Sequence, residues 1–371
     1  MQTKPLTTAM AALVLAAAAT VAAPAAAGPS LVVDAGSGRV LAQQDAFRRW
    51  YPASLTKLMT VYVVFRAIQA GQLSLQSPVR ISANAAKEPP SRMGYKPGTV
   101  LSIDNALKIL MVKSANDVAT AVAESVGGSV PGFAARMNAE AARLGMSGSH
   151  FVNAHGLHDD DHYSNAHDLA LLAVSLRTQF PQYAAYFGIE ALGAGKAVID
   201  NHNNLIGHYD GADGMKTGYT CPAGWNVVAS ATRNGRTLVA VVIGEESADD
   251  RDVKAAALLE KAFSVSGFAA PRLASMRPTG QYQDVATNMR SAICTKEARQ
   301  RIAARRNAEG KLVIRSPYLH EMDRPRRIVA IEVGEADEPK QATAPAPGRL
   351  AKKVPIPTPR PDYVPQVAQG D

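Results

Sequence analysis

The order of apolar and polar residues predicts an α+β domain in which strands near both ends flank a helical middle. Short apolar runs bounded by turn residues indicate two β-hairpins, over residues 31–41 and 227–243, the second with an Asn-Gly turn. Between them, apolar residues recur at helical spacing in four stretches, 54–70, 103–112, 117–126 and 166–176. Hairpins at both ends with helices between them favour one antiparallel sheet built from both ends of the domain.

Both ends of the chain differ from this middle in composition. Residues 1–27 carry one charged side chain, Lys4, before a long apolar run that ends in alanines. This is typical of a secretory signal peptide cleaved after Ala27, and an uncleaved membrane anchor is the alternative. Residues 336–371 are rich in Pro and Ala, a composition that favours an extended, disordered tail.

Composition and charge narrow the class of protein further. The chain has 371 residues, of which 47% are hydrophobic, and this excludes a wholly disordered chain. Its net charge of +8 is compatible with an anionic partner, but residues 290–327 alone hold eleven basic and four acidic residues. That stretch is interpreted either as a solvated helix face or as a contact with an anionic envelope or membrane. We expect no nucleic-acid partner, because an exported protein does not meet one.

The first motif with chemical meaning places Ser54 and Lys57 three residues apart at a predicted helix start. Residues i and i+3 share one helix face, so the hydroxyl and the amine can meet. A lysine whose pKa is lowered by burial or by a neighbouring cation can remove the serine proton and so create a nucleophile. Taken alone the motif is weak, because an N-capping serine beside an exposed lysine gives the same pattern.

Two further motifs follow in the chain. Ser114 and Asn116 precede a helix, either as groups that project into a cleft or, for Ser114, as the N-cap of a capping box with Asp117. Lys216, Thr217 and Gly218 lie in a glycine-flanked stretch that suits a strand edge approached closely by a substrate. An ordinary turn entering a strand is the alternative for this third motif.

The three motifs in this order, Ser-x-x-Lys, Ser-x-Asn and Lys-Thr-Gly, are those of penicillin-binding proteins and class A β-lactamases. The sequence resembles the low-molecular-mass penicillin-binding proteins, specifically the serine D-alanyl-D-alanine carboxypeptidases, over residues 28–268. Residues 151–157, 162–170 and 201–205 also look like blocks of that family. The resemblance implies a penicillin-binding protein/β-lactamase-like fold, with an antiparallel sheet flanked by helices and an all-helical subdomain. Residues 269–335 are left as a basic C-terminal region of uncertain fold.

The resemblance also implies a role for each motif residue. Ser54 is the acyl-accepting nucleophile and Lys57 its base, while Ser114 and Asn116 complete the proton path and orient the substrate. Lys216, Thr217 and Gly218 bind the terminal carboxylate of the substrate, and Arg251 lies where the family tends to have a further carboxylate-binding arginine.

What the resemblance implies about partners is equally specific. The substrates are peptidoglycan stem peptides ending in D-Ala-D-Ala, β-lactam antibiotics are inhibitors, and no cofactor is required. The site of action is periplasmic or otherwise extracytoplasmic in a bacterium, with or without membrane association.

Two departures from the motifs bear on the reaction. Ala115 replaces the Asp of the class A Ser-Asp-Asn motif, and no Glu-x-x-x-Asn block follows it. Slow release of a trapped β-lactam is therefore expected rather than efficient hydrolysis. A D,D-endopeptidase or β-lactamase on the same fold, and a catalytically idle cell-wall-binding protein, remain as alternatives.

Histidines and cysteines suggest two further features. Five of the eight histidines lie between residues 150 and 167, but their spacing matches no metal-binding template, so no metal site is predicted. Cys221 and Cys294 can form one disulfide in an oxidising compartment or remain two free thiols, and the sequence does not decide between these states.

Overall fold

The computed structural model describes residues 28–279, 284–305, 307 and 316–332. The predicted signal peptide and Pro/Ala-rich tail lie outside the described residues. Five antiparallel strands form the main sheet in the order β2-β1-β9-β8-β7. They are β1 (Ser30–Asp34), β2 (Val40–Gln44), β7 (Ala212–Thr220), β8 (Gly224–Arg233) and β9 (Arg236–Glu245). The register of β1 on β9 places Val32 opposite Ala240, which confirms the prediction of a sheet built from both ends of the domain.

Both predicted hairpins are present. The turn between β8 and β9 is formed by Asn234 and Gly235, whose φ angles of 50° and 75° are those of a type I′ turn. Along β9 the side chains of Val239, Val241 and Ile243 enter one hydrophobic core, whereas those of Ala240 and Val242 enter another. The strand is therefore apolar at successive positions because both faces of the sheet are covered.

Helices cover the two faces of this sheet unequally. The larger core is enclosed by α1 (Lys57–Gln69), α2 (Ile103–Val112), α3 (Asn116–Gly127), α4 (Val130–Leu144) and α5 (Ala166–Gln179). The smaller core lies beneath one helix, α6 (Ala248–Phe263). The four predicted helical stretches correspond to α1, α2, α3 and α5. The start of the first differs, since Ala53–Thr56 forms a turn of 3-10 helix before α1.

Two small sheets complete the architecture. The strands β3 (Pro78–Arg80) and β4 (Val100–Ser102) pair beside the helices. The strand β5 (Ala191–Ala194) lies between β6 (Ala197–Asp200) and the late strand β10 (Ile328–Ala330). Among the described residues, we find no helix with both the length and the apolar character that crossing a bilayer requires.

The chain after residue 268 packs against the rest of the domain. Its helices are α7 (Arg290–Ile293) and α8 (Lys296–Ala303). Cys221 and Cys294 form a disulfide, which selects one of the two states left open by the sequence. The Arg324 and Arg327 guanidinium groups both bind the buried carboxylate of Glu190, which holds the pKa of that carboxyl at about 2. The predicted boundary at residue 268 stays a prediction.

The disulfide predicts a measurable stabilisation. It closes a loop of 73 residues, and a loop of that length is worth about 4 kcal/mol in the chain-entropy account. We expect the double variant Cys221→Ser/Cys294→Ser to lose about that free energy of unfolding, measured by urea denaturation. Added reductant should destabilise the natural chain and leave the variant unchanged. Equal stability of the natural chain with and without reductant would contradict this expectation.

Candidate active site

Ser54 lies on a tight turn that two glycines support. Ala53, just before it, has φ of 48°, and the 3-10 turn then leads directly into α1. Gly156, with φ of 87°, lies so close that a Cβ on it would fall 1.8 Å from the Ala53 carbonyl oxygen. On the other side, a Cβ on Gly218 would lie 3.0 Å from the Ser54 nitrogen. Glycine at both positions therefore lets backbone approach the serine turn closely from two directions, and the constraint is stricter at Gly156.

Lys57 is wholly buried next to this serine. Its Nζ lies 3.1 Å from the Ser54 Oγ, 2.8 Å from the Asn116 Oδ1 and 2.8 Å from the His155 carbonyl oxygen. Burial, and then the charge of Lys216, lower the pKa of Lys57 well below its usual range, although Glu88 and Asp117 oppose that shift. This lowered pKa favours the neutral form of the amine.

In the neutral form of the Lys57 amine, its three neighbours determine where the lone pair points. A neutral amine has two N–H donors and one lone pair, and the His155 carbonyl can only accept. The Asn116 Nδ2 donates to the Pro89 carbonyl at 2.9 Å, which turns Oδ1 toward Lys57 as a second acceptor. Both N–H groups are thus taken, and the lone pair is left for the proton of the Ser54 hydroxyl.

Ser114 reaches the same place from the start of α3. Its φ is 60°, an uncommon value for a residue other than glycine, and its buried Oγ finds no hydrogen-bond partner within the described parts of the chain. Ala115, not Ser114, is the N-cap of α3, so the alternative of a capping serine is wrong. The Asp117 carboxylate instead accepts from the backbone N–H groups of Met93 and Gly94.

The Lys-Thr-Gly stretch forms part of the edge strand β7. Lys216 is buried, donates to the Thr217 carbonyl at 2.9 Å, and has its pKa lowered to about 7 by burial and by the charge of Arg251. Arg251 comes from α6, where it pairs with the neighbouring Asp252 at 2.7 Å. Its guanidinium carbon lies 5.9 Å from the centroid of the Trp225 ring, which brings a second cation to this end of the site.

These elements enclose a cleft of about 780 Å³, which we call the Ser54 cleft. Six of the eight predicted site residues line it, namely Ser54, Ser114, Asn116, Thr217, Gly218 and Arg251. Lys57 and Lys216 lie behind its surface, where they contact the lining residues. The structure thus brings all eight predicted residues together, from four separate parts of the chain.

The sequence analysis did not identify a cluster formed by Glu88, Thr120 and His155. The Glu88 carboxylate accepts from the Thr120 hydroxyl at 2.7 Å and lies 3.4 Å from the His155 Nε2. This cluster connects the cleft wall at Pro89–Ser91 with the loop whose carbonyl binds Lys57. No short sequence motif indicates this cluster, because Glu88 is separated by more than thirty positions from both of its partners.

The clustered histidines serve separate structural contacts. His162 bridges the Thr56 hydroxyl at 2.8 Å and the Val152 backbone N–H at 3.2 Å, and burial followed by repulsion from nearby histidines lowers its pKa to about 3. His167 contacts Asp168 through one ring nitrogen and the Leu273 carbonyl through the other. Over the described ranges, no three His, Cys, Asp or Glu side chains are grouped as a metal would require.

In fold, the protein belongs to the α+β class of the penicillin-binding proteins. A model of the D-alanyl-D-alanine carboxypeptidase family, peptidase family S11, matches residues 16–247, so the chain belongs to that family. The D-alanyl-D-alanine carboxypeptidase DacF of Bacillus subtilis is 32% identical over 240 residues, which cover 63% of this chain and 61% of that protein. The chain therefore spans about three fifths of the length of the curated relatives it matches.

Solved structures show the same likeness. The D-alanyl-D-alanine carboxypeptidase DacD from Francisella tularensis superposes with a TM-score of 0.62 at 31% identity, over 65% of this chain and 71% of that chain. Penicillin-binding protein D2 from Listeria monocytogenes, solved in a cefotaxime-bound form, gives a TM-score of 0.58 at 29% identity, over 64% of this chain and 97% of that chain. These likenesses confirm the predicted fold and the predicted family.

The packing of the serine turn predicts unequal costs for two glycine substitutions. Gly156→Ala combines a positive φ with a 1.8 Å clash, and we expect it to lower the free energy of unfolding by about 3 kcal/mol or more. Gly218→Ala meets backbone atoms at 3.0 Å and should cost about 1–2 kcal/mol. Gly36→Ala is the control, because its Cβ would meet only the Asp34 carboxylate at 3.6 Å. Urea unfolding measures all three, and a Gly156→Ala variant as stable as the control would contradict the packing.

Proposed function

We propose that the protein is a serine D-alanyl-D-alanine carboxypeptidase, which removes the terminal D-Ala of peptidoglycan stem peptides through an acyl-enzyme on Ser54. One observation carries this proposal. The buried Lys57 Nζ, whose pKa is lowered well below its usual range by burial and by the charge of Lys216, lies 3.1 Å from the Ser54 Oγ on the wall of a cleft bordered by the Lys-Thr-Gly strand. Membership of the carboxypeptidase family supports the same activity.

In the acylation step, Lys57 accepts the Ser54 proton while the serine oxygen attacks the carbonyl carbon between the two D-Ala residues. The tetrahedral oxyanion is stabilised by backbone N–H groups, one of them from Ser54. The C–N bond then breaks, and the proton passes to the leaving amine. Ser114 suits this relay, because its buried Oγ has no other partner within the described ranges. Water then hydrolyses the ester and restores the serine.

The carboxylate of the terminal D-Ala binds between the Lys-Thr-Gly strand and α6. Thr217 and Arg251 line the cleft there, and the Lys216 Nζ contacts the Thr217 carbonyl. A cation and a hydroxyl from one strand, with a guanidinium from α6, suit a single carboxylate. Because the pKa of Lys216 is about 7, a carboxylate bound beside it would favour its charged form.

β-Lactams fit the same site as acylating inhibitors. Penicillin-binding protein D2 from Listeria monocytogenes, which the chain resembles, was solved with cefotaxime and with ampicillin bound. We propose that β-lactams acylate Ser54 and leave slowly. Of the other activities, a D,D-endopeptidase shares the acyl-enzyme step and a β-lactamase would need rapid deacylation.

We place the enzyme outside the cytoplasm, after cleavage of residues 1–27. This location follows from the leader-like sequence and from the peptidoglycan substrate. Five of the basic residues in 290–327 pair with carboxylates elsewhere in the domain, which leaves fewer of its charges for contact with an anionic envelope. These residues are Arg301, Arg305, Arg324, Arg326 and Arg327.

The central test uses Ser54→Ala. We expect this variant to take up no fluorescent penicillin, and its release of D-Ala from a peptide ending in D-Ala-D-Ala should fall by about a thousandfold or more. Ser74→Ala, at an exposed serine of a surface turn, is the matched control and should behave as the natural chain. Labelling that persists in a folded Ser54→Ala variant would refute the proposal.

The charge of Glu88 predicts a change in pH dependence. Glu88 raises the pKa of Lys57, so Glu88→Gln should lower that pKa further while retaining an oxygen for the Thr120 hydroxyl. Because the active form has neutral Lys57, the acid limb of kcat/KM for D-Ala release should move to lower pH. Thr120→Val is the control, since it removes the hydrogen bond but keeps the charge. An acid limb that stays in place in Glu88→Gln, or moves to higher pH, would show that Glu88 does not act on Lys57.

A further inference from the structure

The Ser54 cleft carries more positive charge than one substrate carboxylate requires. Within the described ranges, no Asp or Glu side chain lines the cleft, whereas three cationic side chains do, namely Arg92, Lys113 and Arg251. His202 also lines it, and burial, followed by the charges of Lys216 and other nearby cations, lowers the pKa of that imidazole to about 4. A cleft with this excess of one sign attracts an anionic ligand.

The terminal carboxylate of the substrate accounts for only part of this charge. In the proposed binding mode it is held by Lys216, Thr217 and Arg251, which belong to β7 and α6. Arg92 and Lys113 come from other parts of the chain, since Lys113 is the C-cap of α2 and Arg92 lies between β3 and β4. A peptide bound only through its last carboxylate would leave both cations unmatched.

These two cations belong to the wall of the cleft that holds Asn116. The Ser91 hydroxyl donates to the Lys113 carbonyl at 2.9 Å, and the Ser91 carbonyl accepts from the Asn116 backbone N–H at 2.7 Å. Arg92 follows Ser91 directly in the chain. The Asn116 side chain contacts the Lys57 amine at 2.8 Å, so this wall adjoins the reacting groups.

Neither cation forms an ion pair within the described parts of the chain. The carboxylate nearest to Arg92 in sequence is Glu88, which accepts from the Thr120 hydroxyl. The carboxylate nearest to Lys113 is Asp117, which accepts from two backbone N–H groups. The Arg92 Nη1 donates to the Glu88 backbone carbonyl at 3.3 Å, and the other N–H groups of its guanidinium can donate to a ligand.

We propose that Arg92 and Lys113 bind a second carboxylate of the substrate, on the side chain of the residue that precedes D-Ala-D-Ala. The side chains of both D-Ala residues are methyl groups, so this residue is the first in the acyl part of the substrate that can carry a charged side chain. The enzyme then prefers stem peptides whose diamino acid keeps a free side-chain carboxylate over stems in which that group is amidated.

This inference rests on the proposed function, because it assigns the acyl part of the same substrate to the Asn116 wall. A guanidinium and an ammonium that meet one carboxylate form charge-assisted hydrogen bonds. Lys113 is half-buried and Arg92 is exposed, so solvent screens the contact of Arg92 more strongly. We therefore expect Lys113 to contribute more to the preference than Arg92.

The test compares two soluble pentapeptides that end in D-Ala-D-Ala and carry diaminopimelate as the third residue. Its distal carboxyl group is free in one peptide and a carboxamide in the other, so the two differ in charge and hardly in shape. For D-Ala release by the natural chain, we expect kcat/KM to be about tenfold higher for the free acid. Lys113→Gln should lower this ratio about fivefold and Arg92→Gln about twofold, while the double variant should bring it to about one.

Lys96→Gln is the matched control, because Lys96 is an exposed cation four residues after Arg92 that does not line the cleft. It removes the same charge from the same part of the chain and should keep the natural ratio. A ratio that falls as far in Lys96→Gln as in Lys113→Gln would show a general effect of charge and overturn the proposed site.

Two other results would overturn the inference and leave the carboxypeptidase standing. They are equal kcat/KM values for the two peptides in the natural chain, and a natural ratio in the double variant. If neither peptide releases D-Ala and penicillin does not label Ser54, the proposed function fails and the inference fails with it. Penicillin labelling of each variant shows that it is folded.

Discussion

The candidate site depends on one buried amine. Lys57 has no exposed surface, and the removal of an ammonium ion from water is too costly unless its charge is lost or compensated. Here two acceptors, from Asn116 and His155, can take the N–H groups of the neutral form, while burial and then the charge of Lys216 oppose protonation. Three distant parts of the chain meet at a single nitrogen atom, so this arrangement forms only when those parts are packed together.

Sequence patterns predicted both hairpins of the main sheet and the helices α1, α2, α3 and α5. The Asn-Gly turn and the apolar runs beside it indicated β8 and β9, because a type I′ turn has a specific residue preference. The helices α4 and α6 were missed. α4 opens with Val130, Pro131 and Gly132, residues that disfavour a helix interior but are tolerated in the first turn. α6 opens with a run of charged residues, so its apolar stripe is hidden until its second turn.

At the site, the residues that could be predicted are those that lie close together in the chain. Ser54, Lys57 and the Lys-Thr-Gly stretch are visible because their chemistry requires close neighbours in the chain. Glu88 and His155 were not assigned roles, since they meet only through tertiary packing and neither has a local partner. The sequence could not decide whether Cys221 and Cys294 form a disulfide, because spacing along the chain says nothing about the distance between two thiols.

The sheet order has a consequence for how the protein is made. The strand β1 is paired with β9 in the folded sheet, more than two hundred residues later in the chain. A nascent chain therefore holds its first hairpin without its main neighbour until almost the whole catalytic region has been synthesised. Closing so long a loop is slow, since entropy is lost before the contacts form. The five-stranded sheet therefore cannot close until β9 is available, and the growing chain stays open until then.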